Sequence, residues 1–180
     1  MKRILTTALT LMLVMFIQAQ TTVTFMGVPV KGNQETFTQK LLKKGCYTDK
    51  NSVLKGIVDG ALSTIIVNTV NDEVKSVTAI EDEYLNNEQA AVSRFNTLID
   101  YYKAKPDYTE YESNYYIKDA DPATIQKYIS EDWYYAEFFQ TAKKQRYTKR
   151  MGFKVSDKFG GYRIVRQYDD NYDIDKKLPK

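Results

Sequence analysis

The chain has 180 residues, with 26 Lys and Arg against 23 Asp and Glu, no histidine and one cysteine. Without histidine there is no Ser-His-Asp triad, no Cys-His pair and no imidazole metal ligand, and a lone cysteine excludes a thiolate zinc site and an internal disulfide. The net charge of +3 is a small surplus over many charges of both signs and does not point to nucleic acid.

Met1-Lys2-Arg3 is a short basic start, and Ile4 to Ile17 is an uncharged, mainly apolar run. The run is shorter than the roughly 20 residues a membrane helix needs. Gln18-Ala19-Gln20 follows, with a small residue at the place a signal peptidase requires. This layout predicts a secretory signal peptide over 1–19, hence a secreted or periplasmic protein with no stable membrane anchor after cleavage. No cysteine stands at the cleavage point, so a lipid anchor is disfavoured. Lys2 and Arg3 leave with the leader, and the surplus falls from +3 to +1. The remaining chain of about 160 residues can bury around 70% of its unfolded surface and form one domain without staples. Cys46 is expected to pack as a small apolar side chain.

Thr22 to Val30 reads as a strand with Pro29 at its end or edge. Asn33 can cap a helix over Gln34 to Lys44, whose Phe37, Leu41 and Leu42 make one stripe and whose Gly45 suits a left-handed C-cap. Val53–Val58, Leu62–Val70 and Val74–Ile80 read as a strand meander, although neither face of the last is clearly dry. Leu85 to Lys103 carries Ala91, Val92, Phe95, Leu98, Ile99 and Tyr102 at helical spacing. Tyr108 to Ile117 is tyrosine-rich and strand-like. Asp121-Pro122 looks like an N-cap and first-turn proline for a short helix to Ile129. Trp133–Thr141, Arg146–Val155 and Tyr162–Tyr168 read as three further strands, with a turn over Asp157–Gly161. Alternating βαβ units are absent. The expected fold is α+β: an antiparallel meander with helices on one face, in two helix-then-strands halves. The domain spans 20–170, and 171–180 is a polar tail.

Phe25-Met26-Gly27-Val28-Pro29-Val30-Lys31-Gly32, then a helix ending in Lys43-Lys44-Gly45-Cys46-Tyr47, resembles a group of small secreted proteins of Bacteroidetes-type bacteria. Those proteins open with an F-x-G-I-P-V-x-G strand followed by a helix ending in K-K-G-F. Tyr101 to Pro106 resembles their Y-G-K-P helix end, with the glycine missing. The resemblance implies a helix-plus-meander fold like that of β-lactamase inhibitor protein and of the small lipoprotein of the outer-membrane barrel-assembly machinery. It covers residues 22–106 and carries no functional residues across.

The 15 Tyr, 8 Phe and one Trp are the strongest compositional bias. Rings with a polar tip suit binding surfaces, though they also suit strand cores. Along Trp133 to Gln140 the face bearing Trp133, Tyr135, Glu137 and Phe139 holds the charge and is expected to be the wetter one. Trp133, Tyr135 and Phe139 are therefore the candidate ligand-binding residues. Glu81, Asp82, Glu83, Glu131, Asp132 and Glu137 could in principle supply the two carboxylates of a glycosidase, but no spacing singles out a pair. Asp169, Asn171 and Asp173 have the opening spacing of a calcium loop, yet no glycine and no closing glutamate follow. Lys143 to Arg150 is a local basic cluster with Tyr147, which also fits an edge guarded against aggregation. No catalytic residue, metal site or cofactor is implied. The expected function is an exported, non-enzymatic binding domain for a protein or glycan, using a sheet face or the aromatic-rich second half. The alternatives are a carboxylate-based hydrolase and a structural envelope protein.

Overall fold

The computed structural model describes residues 22–111, 121–131, 135–140 and 149–169. The chain opens with a hairpin, β1 (Thr24–Phe25) and β2 (Val28–Pro29), where one strand was expected. Met26 and Gly27 turn the chain with φ of 51° and 75°, so the apolar run folds back on itself. Helix α1 (Gln34–Lys43) follows, and the Asn33 side chain accepts from the Thr36 N–H at its start. Gly45, at φ 95°, sits where the left-handed residue was expected.

Strands β3 (Tyr47–Thr48), β4 (Leu54–Val58), β5 (Ala61–Val70) and β6 (Glu73–Glu81) then form the first meander. Helix α2 (Glu88–Lys103) starts three residues later than its apolar period suggests, because Asn87 caps it through Ala90 N–H and Leu85 instead bridges to Tyr162. After β7 (Thr109–Glu110), Asp121 and Pro122 open α3 (Pro122–Ser130) as expected. The chain closes with β8 (Tyr135–Phe139), β9 (Arg150–Ser156) and β10 (Arg163–Asp169).

β3 to β10 make one antiparallel sheet in the order β3-β4-β5-β6-β10-β9-β8-β7. The fold is α+β. The second meander is inserted in reverse, so the final described strand lies at the seam against β6, with Val165 opposite Ile80. Helices pack on the face carrying Ile65, Val77, Ala79, Phe138, Phe153 and Ile164. The ambiguous face of β6 is resolved by a bulge opposite Asn68 and Thr69, where Lys75 is the extra residue. It lets Val74 and Val77, three apart, both turn inward, and breaks the alternation read from sequence. Cys46 is buried with its Sγ 3.5 Å from the Met26 sulfur, and burial pushes the thiol pKa up. It packs as an apolar residue.

Candidate functional site

Cross-strand register places Tyr47, Lys55 and Ile57, then Leu62, Thr64 and Ile66, then Thr78 and Ile80 on the face away from the helices. On this outer face Tyr47 is 48%, Ile57 59%, Leu62 40% and Ile66 44% exposed. Single exposed apolar residues are ordinary, but here Ile57 and Leu62 are direct cross-strand partners and Tyr47 stands beside Lys55 on the neighbouring strand. Lys55 bonds Asp82 at 2.5 Å, and Thr64 donates to the same carboxylate at 2.7 Å. Burial opposes the charge on Asp82, but the Lys55 and Thr64 hydrogen bonds win and hold its pKa below the ordinary value. At the rim the guanidinium of Arg163 lies 3.8 Å over the exposed Tyr84 ring. Tyrosine and arginine side chains, here Tyr47, Tyr84 and Arg163, are enriched in protein interfaces.

The same outer face looks different at β8 and β9. Glu137 is buried, paired with the Arg150 guanidinium and accepting from the Tyr135 hydroxyl at 3.2 Å. Phe139 is fully buried, edge-on to Tyr111 with centroids 5.3 Å apart. The Tyr135 ring lies over Gly152, where an added Cβ would come within 2.6 Å of the ring carbon Cζ. The expectation that this is the wetter face is therefore corrected. The charge of Glu137 marks an internal ion pair, and of the three candidate residues Phe139 is buried, Tyr135 is half-buried and Trp133 lies outside the described residues. The calcium-loop residues beyond Asp169 and most of the basic cluster also lie outside them.

A second constellation sits at the β4–β5 hairpin. Asp59 accepts from the hydroxyls of Tyr101, at 2.9 Å, and Tyr102, and its oxygens lie 3.4 Å from Lys105 Nζ and 3.5 Å from Arg166 Nε. Arg166, fully buried, also bonds Glu81 at 2.5 Å, and Arg94 bonds Glu81 at 2.7 Å. The Tyr168 hydroxyl is 3.3 Å from that of Tyr102. Because the Tyr102 proton points to Asp59, Tyr168 is the donor between them. Burial pushes the pKa values of Tyr102 and Tyr168 far above the ordinary tyrosine value. Burial works against the charge on Lys105, but the Tyr101 hydrogen bond and the Asp59 carboxylate outweigh it and raise its pKa. Lys105 is thus a fixed cation and not an amine nucleophile. Beside it is a pocket of about 270 Å³, lined by Met26, Ile57, Val58, Asp59, Lys105 and Tyr108 among others.

Asp59 carries one local mark in the sequence. Asp59-Gly60 between two strand segments is a tight-hairpin signal, and Asp59 has φ 48°. Its partners come from positions 101 to 166, which no spacing reveals. Of the carboxylates considered for hydrolysis, Asp132 lies outside the described residues and the other five divide between ion pairs and surface. Glu81, Asp82 and Glu137 are held by cations, while Glu83 and Glu131 are exposed. Among the described residues no group of three acidic or cysteine side chains could hold a metal ion, and no helix is long and apolar enough to cross a membrane.

No family model, curated protein or solved structure matches this chain.

Proposed function

We propose that this is an exported, non-enzymatic domain that binds a protein partner across the open end of its outer sheet face. One observation carries the reading. Helices cover one side of the eight-stranded sheet, while β3 to β5 leave Tyr47, Ile57, Leu62 and Ile66 in water on the other. Ile57, Leu62 and Ile66 would each gain from burial against another protein. A glycan site would present aromatic planes, and on these three strands only Tyr47 supplies one. The leader-like residues 1–19 support export.

The test compares the wild-type domain with a Leu62→Lys/Ile66→Lys variant by crosslinking in envelope extract. Both residues point outward, so the variant should fold with its thermal midpoint nearly unchanged. The wild type is expected to crosslink to a discrete partner and the variant to lose it. Retention of the same partner at the same yield would sink the proposal.

A further inference from the structure

The pocket beside Asp59 shares Ile57 with the open sheet face and none of Tyr47, Leu62 or Ile66. Its walls divide by chemistry. Met26, Ile57 and Val58 supply apolar groups, and Lys105 and Tyr108 supply hydrogen-bond donors.

The Asp59 and Gln140 acceptors of the pocket are already engaged. Asp59 is surrounded by Tyr101, Tyr102, Lys105 and Arg166. Gln140 Oε1 accepts from the Thr24 N–H at 2.6 Å and from its hydroxyl at 3.1 Å. Gln140 Nε2 donates to the Thr24 carbonyl and to the Tyr108 hydroxyl, both at 2.7 Å. Donors, in contrast, are left over. The Tyr108 oxygen accepts from Gln140, and its own proton has no acceptor among the described residues. Burial raises the Tyr108 pKa, so that proton stays in place at neutral pH. The Lys105 ammonium lies 3.4 Å from Asp59 and over the rings of Tyr101, Tyr102 and Tyr108, 4.1, 5.2 and 5.4 Å from their centroids, and it faces the pocket. Behind Asp59, Arg166 Nε and Nη1 are buried and make no hydrogen bond to a described residue. Around this cluster the cations Arg94, Lys105 and Arg166 are matched by the carboxylates Asp59 and Glu81 and by Asp107 on the pocket lining.

We propose that the pocket binds a monocarboxylate with a short apolar tail, its oxygens held by the Lys105 ammonium and the Tyr108 hydroxyl and its tail against Met26, Ile57 and Val58. A volume of about 270 Å³ admits a short acid or the last residue of a peptide, and not a large cofactor. Exposed Asp107 stands on the lining of the pocket and adds a negative charge that disfavours a second carboxylate. The ligand chemistry is the same whether it comes from a free short-chain acid or from the C-terminus of a peptide.

The full folded domain is titrated by calorimetry with hexanoate, hexanamide and adipate, and with an acetylated Ala-Leu dipeptide as free acid and as amide. The acids should bind at least about tenfold tighter than the amides, as expected for a charge-assisted hydrogen bond. Adipate should bind more weakly than hexanoate, and Asp107→Asn should narrow that gap. Lys105→Met should abolish acid binding and Lys105→Arg should restore part of it. Tyr108→Phe should weaken it several-fold, and it serves as the deciding variant if Lys105→Met does not fold. A tighter dipeptide acid identifies a chain terminus as the source, and tighter hexanoate identifies a free acid. The proposal is overturned if acids and amides bind alike, if no acid binds, or if Tyr108→Phe matches wild type. The Leu62→Lys/Ile66→Lys variant should keep acid binding, so failure of the sheet-face reading leaves this one standing. Loss of acid binding in that variant would place the acid elsewhere.

Discussion

On β5, Leu62, Thr64 and Ile66 point away from the helices, and Leu62 and Ile66 stay in water. On β8, Tyr135, Glu137 and Phe139 point the same way, yet Glu137 and Phe139 are buried. The two strands belong to one sheet and obey one alternation. At β8 the ring of Tyr135 lies over a glycine, and Glu137 meets a guanidinium from the next strand. At β5 the long side chain alongside, Lys55 on β4, is tied to Asp82, and Leu62 and Ile66 stay uncovered. Burial on a sheet face is thus decided by what long or ringed side chains on adjacent strands can cover, and less by the polarity of a strand read alone.

The contrast can be broken from its strongest end. Arg166→Ala leaves Glu81 with one of its two cations inside the core, and should cost about 3–5 kcal/mol in a urea titration. Phe139→Ala should cost about 3–5 kcal/mol, while Ile66→Ala on the open end should stay within about 0.5 kcal/mol. Equal losses at the two positions would erase the distinction between the two ends. Gly152→Ala forces the Tyr135 ring aside and should cost about 1–3 kcal/mol, with Tyr135→Ala in the same chain relieving part of it.

Titration separates the regions further. Tyr102, Tyr108 and Tyr168 all have pKa values raised by burial. Their contribution is complete below the unfolded value of about 10 and is lost as pH rises beyond it, so circular dichroism should report unfolding on the alkaline side. Asp82, at the open end, has the opposite sign. Its depressed pKa contributes stability above about pH 4 that fades as pH falls further. Because the Lys55–Asp82 pair is partly solvated, Asp82→Asn should change stability by about 1 kcal/mol or less.

Most elements of this fold are legible in local sequence. Asn33, Asp121-Pro122 and Gly45 mark helix ends through backbone chemistry that acts within a few residues. The period of α2 is plain because Ala91, Val92, Phe95, Leu98, Ile99 and Tyr102 all face the core. The hairpin at Met26-Gly27 is hidden, since apolar residues on both sides of the turn make the run look continuous. The inward turn of Val74 is hidden by a bulge that only pairing with β5 creates. The sites are the least legible part. Tyr108 stands out only as one of many tyrosines and Lys105 only as part of a helix stop. Their places are set by Asp59, 46 residues before Lys105, and by Gln140, 32 residues after Tyr108.

The place of β10 at the seam governs the order of assembly. β6 can pair with β5 as soon as the first half is made, but its other edge waits for Val165 to Asp169. Until those residues are synthesised, the first half presents an unpaired strand edge at Ser76 to Ile80, and the core has no Arg166 to neutralise Glu81. Closure therefore depends on contacts more than 80 residues apart, which makes folding slow for a chain of this size and leaves a chain truncated before β10 prone to aggregation.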